Sequence, residues 1–204
     1  MRIACLHTVA SNADVFTAAA PAGVTLEHTI RPDLLARSEA EGGMTPAIRA
    51  ETAALLRDLA RVADRVLLTC STIGPAAEDV AGVVRVDAAL ARRAVAEAKG
   101  GHVLVLCAVT TTVEPTRRLF EAAAEGTGVR IAMRVIPCAW DAFKAGDTAG
   151  YHRIIAQAVD AARSEGADTI ALAQASMAGA AALCRLGAPL TSPAVGLAEA
   201  AGRG

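Results

Sequence analysis

The chain has 204 residues and a formal net charge of -1, with 53% hydrophobic, 20% charged and 2% aromatic residues. That length suits one mid-sized domain or two small lobes, and it is long enough to bury roughly 70% of the unfolded chain's surface. The apolar content excludes a disordered chain, while the balanced charge and the single Trp, single Tyr and three Phe exclude a nucleic-acid footprint with stacking platforms.

Short apolar runs alternate along the chain with Ala/Glu/Arg stretches of helical period. The first run, residues 2–8, reads as a buried strand. A strand is expected here rather than a leader peptide, because His7, Asn12 and Asp14 interrupt the apolar region. Further strands are predicted at 24–30, 65–70, 102–109, 129–136 and 169–173, with a short one at 83–86. Helices are predicted over 45–62, 87–99, 115–125 and 147–165. Pro46 and Pro115 fit first turns, and Gly126, Gly128 and Gly166 fit helix stops. Continuous apolar strands separated by helices indicate parallel sheets covered on both faces, so the fold class is α/β and doubly wound. Mean hydropathy is positive at +0.39. Even so, the longest charge-free stretch, 169–184, contains Gln174 and Ser176 and is shorter than the ~20 apolar residues of a span.

The chain repeats itself. Residues 64–73 (DRVLLTCSTI) can be laid on 168–177 (DTIALAQASM): in both, an Asp opens a strand that small polar residues close. Upstream, His7-Thr8 corresponds to Thr110-Thr111-Thr112, at nearly equal separations from Cys70 and Gln174. The expectation is two similar α/β lobes, 1–95 and 96–191, with a C-terminal helix within 192–204 able to pack back on the first. No Pro/Ser linker separates them, so they are expected to be packed together rather than independent.

Ligands of open α/β sheets bind at the carboxyl ends of strands. Four such ends carry small hydrogen-bonding residues: Thr8, Ser11 and Asn12; Cys70, Ser71 and Thr72; Thr110, Thr111 and Thr112; and Gln174, Ala175 and Ser176. Each is expected to lead into a helix. Hydroxyls together with helix N-termini then form a cradle for a small carboxylate, although the same residues also serve as plain helix caps.

The five cysteines, Cys5, Cys70, Cys107, Cys138 and Cys184, are odd in number and lack a CxxC pair. They read as the reduced thiols of a cytoplasmic protein. No His/Cys pair has zinc-like spacing, so no metal is expected. Cys70 stands where a strand is expected to meet a helix beginning near Ile73. There it is either an activated thiol at a helix N-terminus or a buried structural residue.

These segments resemble the aspartate/glutamate racemase superfamily, which also includes hydantoin racemases, maleate isomerases and arylmalonate decarboxylases. The matching pieces are 3–12, LLTCSTIGP (67–75), AVTTTVEPT (108–116) and LAQASMAG (172–179), and together they span nearly the whole chain. The resemblance implies two pseudo-symmetric lobes with the active site in the cleft between them, no cofactor, and chemistry at a carbon next to a carboxylate. It implies a partner that is a small carboxylate-bearing substrate, with no nucleic acid and no membrane, and it is compatible with a homo-oligomer. Racemases of this family place one cysteine at a central strand end of each lobe, and Cys70 matches the first. The second position falls on Gln174, or on Ser176 if the register slips by two. A carboxamide is no proton acid or base at neutral pH, and a lone hydroxyl needs an adjacent base. One-faced chemistry therefore competes with racemisation: decarboxylation, with Ser71, Thr72 and Thr111 holding the enolate, or isomerisation. His7 is either a substitute second acid/base or a neutral, hydrogen-bonded side chain.

Overall fold

The computed structural model describes residues 1–203. The chain divides into two compact units. One is Met1–Ala89 with the segment from Pro193 onward, and the other is Leu90–Ser192.

The first unit contains β1 (Arg2–His7), α1 (Asn12–Ala18), β2 (Thr25–Ile30), α2 (Pro32–Ala40), α3 (Pro46–Ala60), β3 (Arg65–Leu68) and β4 (Val83–Arg85). Its four strands are all parallel, in the order β2-β1-β3-β4. The central strands β1 and β3 are buried along their length, whereas β2 at the edge alternates between exposed and half-buried positions. This contrast explains why 2–8 and 65–70 read as continuous apolar runs: helices cover both faces of the central strands. Leu6, Leu34, Ile48, Leu56, Leu68 and Ile73 pack into one core and are fully buried. Each such side chain contributes about 1.5–3 kcal/mol relative to exposure. Local signals set the helix starts. Thr45 caps α3 by accepting a hydrogen bond from the Ile48 N–H, and Pro46 takes the first turn, where no N–H is needed.

α4 (Val86–Ala98) follows β4, and the second unit begins within it at Leu90. Then come β5 (His102–Cys107), α5 (Val113–Ala124), β6 (Arg130–Val135), α6 (Ala139–Lys144), α7 (Thr148–Ser164), β7 (Thr169–Leu172) and β8 (Leu190–Thr191), after which α8 (Ser192–Ala200) belongs, from Pro193, to the first unit. The sheet is again all parallel, in the order β6-β5-β7-β8. Asp147 caps α7 through the Gly150 N–H at 2.8 Å. Leu104, Leu106, Tyr151, Ile155, Val159, Ile170 and Leu172 form its core. The α/β architecture read from the sequence is therefore present in both units, with one strand order used twice. No helix among the described residues is long and apolar enough to cross a membrane.

The structure corrects the expectation that an α-helix follows every strand end. After Cys70 the chain forms a short 3₁₀ helix, Gly74–Asp79, and after Gln174 another, Ala175–Leu183. The first of these is only 6 residues long and carries Pro75, so it stays in the tight geometry that proteins use for short pieces. The aligned dipoles of an α-helix N-terminus therefore do not face Cys70.

Candidate active site

The two sheets place their strand ends in matching registers. In the first unit, Leu6 pairs with Leu68, and the next N–H, of Thr69, donates to the Leu6 carbonyl at 3.1 Å. In the second, Leu106 pairs with Leu172, and the Ala173 N–H donates to the Leu106 carbonyl at 3.0 Å. Cys70 and Gln174 follow directly, so each holds the same position in its own sheet. The register thus favours Gln174 over Ser176 as the counterpart of Cys70. By the same logic His7 corresponds to Cys107, not to the Thr110–Thr112 run with which the sequence repeat aligned it: the His7 carbonyl accepts from Arg31 N–H and the Cys107 carbonyl from Ile136 N–H, both at 2.8 Å.

In the first unit, Cys70 is half-buried and packs beside the core, while Ser71, Thr72 and Ser11 are exposed. Asn12 is half-buried at the start of α1, and Thr8 is buried. Ser11 makes no side-chain cap to α1, so its hydroxyl is not committed to the helix. The turn after Cys70 closes with the Gly74 N–H donating to the Ser71 carbonyl at 3.1 Å. Arg85, at the end of β4, lies over this turn. A Cβ built on Gly74 would fall 2.5 Å from Arg85 Nε. Arg85 is itself held by Asp87 through paired bonds of 2.7 and 2.9 Å, and Asp87 is buried. This bidentate pair fixes the guanidinium plane against the glycine. The apolar strand pattern gave no reason to single out Arg85; the Gly at 74 is its only trace in the sequence.

In the second unit, Gln174 is fully engaged. Its Oε1 accepts from the Ala108 N–H at 2.8 Å, and its Nε2 donates to Thr112 Oγ1 at 2.7 Å. Thr112 in turn donates to the Val109 carbonyl at 2.8 Å. The amide therefore ties the end of β7 to the loop after β5. Thr110 and Thr111 are exposed, Ala175 is half-buried, and the Ser176 hydroxyl is bonded to the buried Tyr151 hydroxyl at 2.9 Å. Gln174→Ala leaves the buried Ala108 N–H without its acceptor. A loss of about 1–3 kcal/mol is expected, measured by urea unfolding.

His7 resolves as the neutral, bonded alternative. It is fully buried, with Nδ1 2.8 Å from Thr69 Oγ1 and Nε2 2.8 Å from His28 Nδ1. Burial, with a smaller contribution from His28, lowers its pKa to about 4. It is sequestered beneath the strand end and is not an open acid/base.

The other cysteines differ sharply in access. Cys5 and Cys107 are buried, and burial pushes the Cys5 thiol up to about 12 and that of Cys107 upward. Cys138 is exposed. Brief alkylation of the native protein near neutral pH is expected to label Cys138 and Cys70 and to spare Cys5 and Cys107 until the chain is unfolded. Peptide mass mapping reads the pattern.

No family model matches the chain, and no curated protein matches it in sequence. Solved structures do match its fold. An aspartate racemase from Picrophilus torridus superposes with a TM-score of 0.69 at 14% identity, covering 98% of this chain and 94% of that one. An allantoin racemase from Pseudomonas fluorescens gives 0.63 at 18% identity, over 99% and 90%. A glutamate racemase from Bacillus anthracis gives 0.58 at 15% identity, over 98% and 80%. The chain therefore carries the α/β fold of the aspartate, glutamate and allantoin racemases.

Proposed function

We propose that the chain is a cofactor-independent, cytoplasmic enzyme of the aspartate/glutamate racemase superfamily. It moves a proton at a carbon next to a carboxylate, with Cys70 as the main acid/base. The observation that supports this most is the setting of Cys70: a half-buried thiol two residues beyond a buried central strand, in a fold shared with racemases. The substrate is a small carboxylic acid. Its carboxylate is bound by hydroxyls and backbone donors at the strand ends, for which Thr8, Ser11, Asn12, Ser71 and Thr72 are the candidates in the first unit and Thr110, Thr111, Thr112, Ala175 and Ser176 those in the second.

The bonding of Gln174 favours one-faced chemistry over strict two-base racemisation. Its amide is held by two short hydrogen bonds and neither takes nor gives a proton near neutrality. One route is decarboxylation of a malonate-type acid. The bond to one carboxyl carbon breaks, CO₂ leaves, and its electron pair forms an enolate stabilised by the hydroxyls and N–H groups. The Cys70 thiol then gives its proton to one face of that carbon. The other route is isomerisation with Cys70 as nucleophile: the thiolate adds to an alkene carbon of an unsaturated acid, the former double bond rotates, and expulsion of the same thiolate restores the alkene in the other geometry.

The test is a panel of 2-amino acids, their cyclic ureido derivatives and substituted malonates, incubated with the folded protein in D₂O. Proton NMR follows the α-hydrogen, and headspace analysis follows CO₂. Exchange or CO₂ release with at least one class is expected. Silence across the panel overturns the enzymatic reading and leaves a carboxylate-binding protein.

A further inference from the structure

We propose that Cys5, His7 and His28 form a binding site for one zinc-class divalent cation inside the first unit. Cys5 and His7 project from β1, and strand pairing sets His28 on β2 directly opposite Cys5. One ligand atom from each residue lies within 4.8 Å of the other two. A thiolate and two imidazoles are a donor set suited to borderline-soft ions such as Zn²⁺.

The independent support is the hydrogen-bond bookkeeping around the two rings. Thr69 Oγ1 donates to the Leu6 carbonyl at 3.0 Å, so its single proton is used and it accepts from His7 Nδ1–H. Thr17 Oγ1 donates to the Ala13 carbonyl at 2.8 Å, so it accepts from His28 Nε2–H at 3.0 Å. Each neutral ring then carries its proton on the outer nitrogen. The inner nitrogens, His7 Nε2 and His28 Nδ1, are left with lone pairs facing each other at 2.8 Å. A metal ion between the rings takes both lone pairs, with Cys5 as third donor, once the inner nitrogens part slightly. The outer bonds to Thr69 and Thr17 are the kind that orient ligating histidines. Cys5 binds as its thiolate, so metal binding releases a proton. The ion joins β1 to β2 and, through His7 and Thr69, braces the strand end that carries Cys70.

Co²⁺ is the probe. One equivalent is expected to bind the reduced, full-length protein with a thiolate-to-cobalt charge-transfer band, and Zn²⁺ should displace it. Cys5→Ser should abolish that band, and His28→Ala, on the edge strand, should weaken binding. Thr17→Val should weaken it about tenfold through the lost outer bond. Circular dichroism confirms that each variant is folded, and His28→Ala keeps the test decisive if Cys5→Ser is not. Cys70→Ala and Cys138→Ala should retain the band. Absence of saturable Co²⁺ binding overturns the proposal, as does a band that survives in both Cys5→Ser and His28→Ala. So does a band lost with Cys70 or Cys138.

Discussion

Cys70→Ala is expected to lower turnover by roughly 10²–10⁴-fold or more, the range that a positioned general acid or base contributes. The same change should leave the melting temperature nearly unmoved. Cys70 is half-buried at the margin of the first unit's core, so truncating its thiol removes little packing. Its backbone lies beyond β3, where the Thr69 N–H to Leu6 carbonyl bond already anchors the strand end. Loss of activity with intact folding separates a chemical role from a structural one. Steady-state rates on whichever substrate class shows α-hydrogen exchange, read beside thermal melts, check it. Activity within a few-fold of the parent removes Cys70 from the chemistry.

Leu172→Ala is expected to cost about 2–5 kcal/mol, the range for truncating a fully buried leucine whose site cannot fully collapse. Leu172 is fully buried at the end of β7 and pairs with Leu106 of β5 and Thr191 of β8. Its core neighbours include Leu106, Tyr151, Ile155 and Met177. Strands on both sides and the packed side chains Tyr151, Ile155 and Val159 of α7 hold those neighbours in place, so the cavity stays open. At about 2–4 °C per kcal/mol for a chain of this size, the melting temperature should fall clearly. The cavity lies two residues from Gln174, so the bonds from Gln174 to Ala108 and Thr112 should loosen too. Faster amide exchange at Ala108 would report this. A change below about 1 kcal/mol would mean that the strand end is not anchored by packing.

Much of the fold is legible in the chain because its central strands are covered on both faces. Runs such as IACLH and HVLVLC are continuous for that reason, and helix punctuation at Pro46, Pro115, Gly126 and Gly166 is local chemistry. The duplication is legible for the same reason, since both sheets repeat one strand order. What escaped depends on contacts between distant segments. The 3₁₀ form of the segments after Cys70 and Gln174 looks like a helix start in sequence, because both begin with small residues. Arg85 over Gly74 needs β4 beside β3. The Cys5, His7 and His28 cluster has no zinc-like spacing, because strand register, not sequence separation, brings His28 to Cys5.

In the proposed chemistry a single thiol, Cys70, works one face of a carbon acid, and Gln174, the residue at the matching position of the second sheet, supplies no proton. The most direct measurement is the stereochemical course of α-hydrogen exchange in D₂O, followed by NMR and chiral chromatography on each separate enantiomer of an active substrate. One-faced chemistry predicts deuterium entering one enantiomer with its configuration kept and little exchange in the other, or, for a malonate-type acid, a single-handed deuterated product. It also predicts that all of this vanishes in Cys70→Ala. Equal washout from both enantiomers with full interconversion, or exchange that persists without the Cys70 thiol, would contradict it.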